Sequence, residues 1–274
     1  MFKIIIMALL IFIGMVGYDN ITDKAQPTTP VQQEQQKVSK HEKSAAMALF
    51  TSLLPPKEEW PSPVHKFYLA FNMDEVIDPI RQNPNWTGLD AMSRDIPQAL
   101  IAIEDHAFYN HGAIAVEGIL RATLANINAG EVVQGGSTLT QQFVKNVFLS
   151  HEQSMERKIE EAVLSLMLED NYSKDEILEL YLNTTYFGAG STGIKQASRT
   201  YFGKAPSALT LAEAAVIASL PYAPTGLNPL ENPEGCKKRQ LLVLAAMHKY
   251  GMINQGQLEE AKAEKIRLTN GTVM

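Results

Sequence analysis

The sequence predicts a mainly α-helical catalytic domain behind an N-terminal membrane-targeting segment. From Ile96 onward apolar residues recur at helical spacing, with little of the strict alternation that marks strands. Helix start and stop signals punctuate that pattern at regular intervals. No internal repeat and no β-rich stretch suggests a sandwich or a barrel.

At the N-terminus, Lys3 precedes an unbroken apolar run from Ile4 to Val16, followed by Tyr18, Asp19 and Asn20. The run is shorter than the roughly 20 residues that comfortably span a bilayer, a length that suits a cleaved signal peptide. No small-x-small cleavage site stands out near Gly14 to Gly17, however, and Tyr18 can extend the run as an aromatic anchor. We therefore expect residues 1–18 to be an export signal, preferably an uncleaved single-pass anchor with Lys3 cytoplasmic. Residues 19–44 are rich in Gln, Thr, Pro and Lys and read as a disordered linker. Residues 45–89 mix short apolar segments with prolines and read as an irregular lead-in.

The helical pattern proper spans residues 90–265, followed by a short tail, 266–274. IPQALIAIEDHAFY predicts a helix with Pro97 near its first turn, and VEGILRATLANINAG a second that ends at Gly130. SMERKIEEAVLSLMLEDNY is a third. SKDEILELYLN carries a capping-box signature, with Ser173 as N-cap and Glu176 three residues on. LTLAEAAVIASLP and CKKRQLLVLAAMHKYG follow, ended by Pro221 and Gly251.

Composition narrows the function. The 274 residues are 45% hydrophobic, enough for one sizeable core. A net charge of -6 without a long basic run argues against nucleic acid as partner, so any anionic ligand must meet a local basic cluster. The single cysteine, Cys236, excludes an internal disulfide and a cysteine-built metal site.

Four segments can carry chemistry. Glu104 and Asp105 end an apolar helix face, where a partly desolvated carboxylate suits acid–base work; a solvated pair at a helix end looks the same. In QGGSTLTQQFVKN, two glycines precede a Thr138–Gln141 capping box, and Lys145 lies two turns in. A helix N-terminus with a lysine can hold a phosphate, although a plain glycine turn into a capped helix fits as well. In ERKIEEAVLSLMLE, Arg157 and Lys158 precede Glu161 by four and three residues, which either poises a carboxylate among cations or makes a salt-bridged surface. YLNTTYFGAGSTGIKQASRTYFGK sets glycines beside aromatics, either a sugar-stacking groove or core residues under a loop. No His or Cys spacing suggests a metal.

Taken in order, EDHAFYNH, GGSTLTQQFVKN, RKIEE, KDEILELYLNTTYFGAGSTGI and LTLAEAAVIASLPYAPTGLNP resemble the successive motifs of the family 51 peptidoglycan glycosyltransferases over about residues 90 to 250. The resemblance implies a lysozyme-like helical fold with a small membrane-proximal subdomain. It also implies polymerisation of lipid II into glycan strands, with inversion and release of undecaprenyl diphosphate, on the outer side of the cytoplasmic membrane. By resemblance, Glu104 is the general base and Glu161 the second catalytic glutamate. Lys145, Arg157 and Lys158 match cations that receive the diphosphate, with a Mg or Mn ion as a further option there. Ser137, Thr138, Gln141, Gln142 and Asn146 would line the donor side, and Asp105, Phe108 and His111 would support Glu104. Asn183 and Tyr186, from the aromatic–glycine run, complete the expected substrate-binding set.

The chain departs from the pattern at a few places. Ala113 and Ala115 stand where the family usually has glycine and aspartate, Gln153 where many members carry arginine, and Glu160 where some carry lysine. No Ser-x-x-Lys with a Lys-Thr-Gly partner is found, so a monofunctional enzyme without transpeptidase activity is expected, working beside other cell-wall synthases. A scaffold of such a complex and a lysozyme-like glycan-cleaving enzyme are the alternatives; the latter would need no basic assembly for a diphosphate.

Overall fold

The structure, a computed structural model, describes residues 68–69, 72–115, 118, 136–149 and 154–274. The expected anchor and linker, and the expected helix 116–130 apart from Gly118, lie outside these residues. Met73–Met274 forms one compact unit. Among the described residues it is built from nine α-helices and two short 3-10 turns, and its only extended pairings are isolated bridges, so it is mainly α as expected.

At the centre lies α7 (Leu211–Ser219), an alanine-rich helix buried on every side from Ala212 to Ser219. A helix apolar all round belongs inside a core, and its small side chains let neighbours approach closely. Two helices pack on it and on each other: α2 (Asp95–Glu104), which buries Ile96, Leu100 and Ile101, and α8 (Pro233–Lys249), which buries Val243, Leu244 and Met247. Beside this trio, α3 (Leu139–Phe148) packs against both α4 (Met155–Asn171) and α5 (Lys174–Thr184). The short α1 (Asp74–Arg81) lies along α5, tied by the Arg81–Glu176 ion pair at 2.9 Å. The remaining helices, α6 (Ile194–Phe202) and α9 (Gln255–Ala263), close the far side.

Two start signals act as the sequence suggests. Thr138 and Ser173 each close a capping box with the residue three positions on, and Thr210, not expected as a cap, closes another; each satisfies backbone N–H groups that a helix start otherwise leaves without partners. One boundary differs. The first expected helix was to run on through Tyr109, but α2 stops at Glu104, because Asp105 leaves helical geometry at φ -157°, ψ 69°. Its carboxylate is held by groups from elsewhere in the fold, and those tertiary bonds override the local helical pattern.

Candidate active site

Three helix ends meet where α2 stops. The last residue of α2, Glu104, accepts a hydrogen bond at 3.1 Å from Gln142 Nε2 on α3. The carbonyl oxygen of that same amide accepts from the fully buried Tyr181 hydroxyl of α5 at 3.0 Å, which fixes the amide's orientation. Burial raises the Glu104 carboxyl above its ordinary value. The Gln142 bond and the positive charges of Arg239 and Lys145 act against that rise, while Asp105 adds to it. Glu104 is thus a carboxylate poised toward proton uptake, with cations close enough to keep it ionisable.

Asp105 turns away from Glu104 and ties the loop behind it. One oxygen accepts the Leu139 N–H at the first turn of α3 at 3.0 Å, and the other lies 2.6 Å from His111 Nε2. His111 Nδ1 is 2.6 Å from the Gly112 carbonyl. With an acceptor at each ring nitrogen, the imidazolium form is favoured, and the Asp105 contact above all raises the His111 pKa. Phe108 is buried beneath, with the Lys174 ammonium 4.4 Å from its ring centre, and Tyr109 donates to Asp175 at 2.7 Å. The segment from 105 to 111 is therefore a rigid support for Glu104. Ala113 is accommodated without strain: its backbone is not in the left-handed region, and its carbonyl accepts from Thr138 Oγ1 at 2.8 Å.

The cationic side lies at the start of α4. Glu161 is 2% exposed and paired with both Lys158 and Arg157, the latter at 3.5 Å. Lys158 also donates to Ser137 Oγ at 3.1 Å, which links this cluster to the start of α3 and so to Gln142 and Glu104. The Nε of Arg157 is buried and has no hydrogen-bond partner among the described residues. Lys145 and Asn146, further along α3, are exposed and make no side-chain hydrogen bond among the described residues. Met155 and Ile159, one turn apart on the same helix, are 78% and 57% exposed and lie on a different side of it from Arg157. Exposed apolar groups so placed suit contact with a lipid.

Other expected residues hold the frame. Thr138 and Gln141 spend their side chains on the α3 cap. The Asn183 amide is engaged at both ends, accepting from Thr87 N–H and donating to the carbonyls of Thr87 and Glu179. Tyr186 is exposed and bridged to Thr192 in the glycine loop, whereas Tyr181, Phe187, Tyr201 and Phe202 of the same run are core residues. The loop needs its glycines: Gly188 has φ +85°, and a Cβ there would lie 2.2 Å from the Pro224 carbonyl oxygen.

Two residues beside Glu104 and Gln142 were not in the expected site set. Arg239 sits in α8 within the electrostatic reach of Glu104, and its guanidinium lies 4.1 Å from the ring centre of Tyr222, which is 66% exposed. In a Lys-Lys-Arg run it reads as a solvated helix face, and only the packing of α8 on α2 brings it to the carboxylate. Tyr181 reads equally as core or groove; the Gln142 bond gives it a part in the site. As for a metal, no group of three His, Cys, Asp or Glu side chains gathers among the described residues. Glu161 is already faced by two cations, so these residues do not form a divalent-ion site.

A half-enclosed glutamate linked through α3 to a cationic cluster on a helical frame is an arrangement suited to an enzyme, and comparison with known proteins gives the chain a family. The Transglycosylase family profile matches residues 73–248, and the chain belongs to that family. It is 41% identical over 194 residues to a Cupriavidus necator protein named for transglycosylase activity, covering 71% of this chain and 84% of that one. It is 44% identical to penicillin-binding protein 1A of Neisseria flavescens and 44% identical to penicillin-binding protein 2D of Bacillus subtilis, covering 68% and 66% of this chain. Those alignments take in 23% and 26% of the two relatives, so the chain spans about a quarter of their length. Among solved structures, penicillin-binding protein 1A of Haemophilus influenzae is 33% identical, with 48% of this chain and 16% of that chain covered and a TM-score of 0.34.

Proposed function

We propose that the chain polymerises lipid II into the glycan strands of peptidoglycan, acting on the outer face of the cytoplasmic membrane and held there by its N-terminal segment. The observation that carries this reading is the pairing of Glu104, a carboxyl raised by burial, with a separate cationic cluster joined to it through α3. Glycosyl transfer from a lipid diphosphate needs both, a base for the acceptor hydroxyl and positive charge for the leaving group.

In this mechanism Glu104 takes the proton from the 4-hydroxyl of the lipid II acceptor as that oxygen attacks C1 of the muramyl residue ending the strand. Attack from the face opposite the diphosphate inverts C1. Lys145, Arg157 and Lys158 receive the departing undecaprenyl diphosphate through charge-assisted hydrogen bonds, with Ser137 holding Lys158 in place. Glu161 keeps the Arg157 and Lys158 heads in register. Arg239 offsets part of the burial penalty on Glu104. Met155 and Ile159 face the lipid, next to a small membrane-proximal subdomain. The reaction needs no transpeptidase centre in this chain, and other cell-wall synthases would cross-link its product.

The test is incubation of detergent-solubilised protein with labelled lipid II, separating products by size, beside the Glu104→Gln variant. Longer glycan from the wild type alone is the expected result. Intact lipid II binding without polymer would favour a scaffold, and shortening of preformed glycan would favour a hydrolase.

A further inference from the structure

The turn between α1 and α2 borders, with α5 and α6, an open pocket that the transfer mechanism does not use. Its volume is about 290 Å³, and its walls include Ile80, Asn83, Asn85, Trp86, Thr184 and Gln196. That volume lies at the lower edge of the usual range for small-molecule sites, about 300–1,000 Å³, room for one sugar ring rather than a strand. No charged side chain lines it.

The pocket stands behind the active site, across α5. Tyr181 points to α3 and Gln142. Asn183, two residues on and about 200° around the helix, points to Thr87. The loop that carries the indole is fixed on several sides. Asn183 grips the Thr87 backbone at N–H and carbonyl, Lys195 Nζ donates to the Pro84 carbonyl at 3.0 Å, and Asn85 N–H donates to Asn83 Oδ1 at 2.8 Å. The site is thus preorganised, and its ligand need not order it on binding.

Part of the polar lining is unspent. Among the described residues the Asn85 side-chain amide, the Asn83 and Gln196 NH₂ groups and the Trp86 indole N–H make no hydrogen bond, whereas Asn83 Oδ1 and Gln196 Oε1 accept from backbone N–H groups, Thr184 Oγ1 donates to the Leu180 carbonyl and the Asn183 amide is engaged at both ends. Neutral amide donors and acceptors around an indole face and one aliphatic wall recognise an uncharged polyol with an apolar ring face, and they give no purchase to a diphosphate.

We propose that this pocket is a second saccharide site, holding one N-acetylated, uncharged sugar residue of a glycan away from the reacting centre. The ring stacks on Trp86, the hydroxyls and acetamido group meet Asn85 and Gln196, and the acetyl methyl lies on Ile80. The choice of an N-acetylated sugar over another neutral polyol rests on the transferase reading above. The site gives the enzyme a hold on product glycan that is independent of the base and of the cationic cluster.

The chain has two tryptophans, Trp60 and Trp86, so Trp60→Phe leaves Trp86 as the sole indole reporter. In that background, titration with the tetrasaccharide of β-1,4-linked N-acetylglucosamine is expected to give a saturable change in Trp86 emission. Adding Asn85→Ala and Gln196→Ala, with the fold checked by thermal melting, is expected to weaken binding about thirtyfold, the loss of two ordinary hydrogen bonds. Glu104→Gln is expected to leave the titration unchanged. Silent Trp86 emission at millimolar sugar, or equal affinity in the double variant, overturns the proposal. An equal response to the tetrasaccharide of glucose overturns its N-acetyl specificity. Polymer from lipid II with a silent Trp86 refutes the pocket alone, while a Trp86 response without polymer supports the pocket and refutes the transferase reading alone.

Discussion

Gln142 holds the Glu104 carboxylate at 3.1 Å with one end of its amide, while the other end is held by Tyr181. The orientation of the Glu104 carboxylate is therefore decided by a buried hydroxyl on a different helix, and several consequences can be measured.

Glu104→Gln is expected to abolish polymerisation without unfolding the protein. Because burial raises the Glu104 pKa, the folded state binds this proton more tightly than the unfolded chain. The stabilisation is complete below the ordinary glutamate value and is lost as pH rises through the raised one. A neutral amide escapes that loss, so at neutral pH the variant should melt at or above the wild-type temperature. The wild-type pH–rate profile should fall on the acid side with a midpoint above the ordinary glutamate value. Substantial residual polymerisation in the variant would sink the assignment of the base.

Tyr181→Phe removes only a hydroxyl from a core position, and it should cost about 1 kcal/mol of stability, as for one lost buried hydrogen bond. Its larger effect should fall on turnover. With Gln142 free to rotate, kcat should drop and the acid limb of the profile should move, whereas KM for lipid II changes little. An unaltered profile would show that Gln142 holds its place without Tyr181.

Asp105→Asn tests the brace behind Glu104. His111 owes its raised pKa above all to Asp105, so its titration, followed by NMR, should move down in the variant. In the wild type, the stability from this pair is full below the ordinary histidine value and lost as pH rises through the raised one. The stability gap between the two proteins should therefore narrow toward alkaline pH. It should not close, because the variant also exchanges a charged acceptor of the Leu139 N–H for a neutral one.

Lys145 is exposed and makes no side-chain hydrogen bond among the described residues, so Lys145→Ala should leave the melting temperature within the scatter of surface substitutions, about 0.5 kcal/mol. A loss of tenfold or more in kcat/KM for lipid II is expected. The reverse pattern, lower stability with normal kinetics, would remove Lys145 from the diphosphate site.

The glycine loop offers an internal comparison. At Gly188 a Cβ would meet the Pro224 carbonyl oxygen at 2.2 Å, while at Gly190, with φ +70°, nothing lies within 4 Å. Gly190→Ala should cost about 1–2 kcal/mol from left-handed backbone strain alone. Gly188→Ala should cost clearly more, because backbone must move as well, and chemical denaturation of the two variants would rank them.

Much of this was legible in the chain itself. Helical periodicity and the cap residues Thr138 and Ser173 settle the helices because those signals are local: a hydroxyl and a backbone N–H three residues on need no distant partner. The pairing of Arg157 and Lys158 with Glu161 is local for the same reason, since one helical turn brings them together. Tertiary structure alone decided the rest. It ended α2 at Glu104 through bonds from Asp105 to His111 and Leu139, and it chose core over groove for Tyr181 and Phe187. It also brought Arg239 to Glu104 from far along the chain. Those outcomes depend on which helices pack together, and a residue's own neighbours in sequence carry no information about the distant group that will desolvate it or give it a partner.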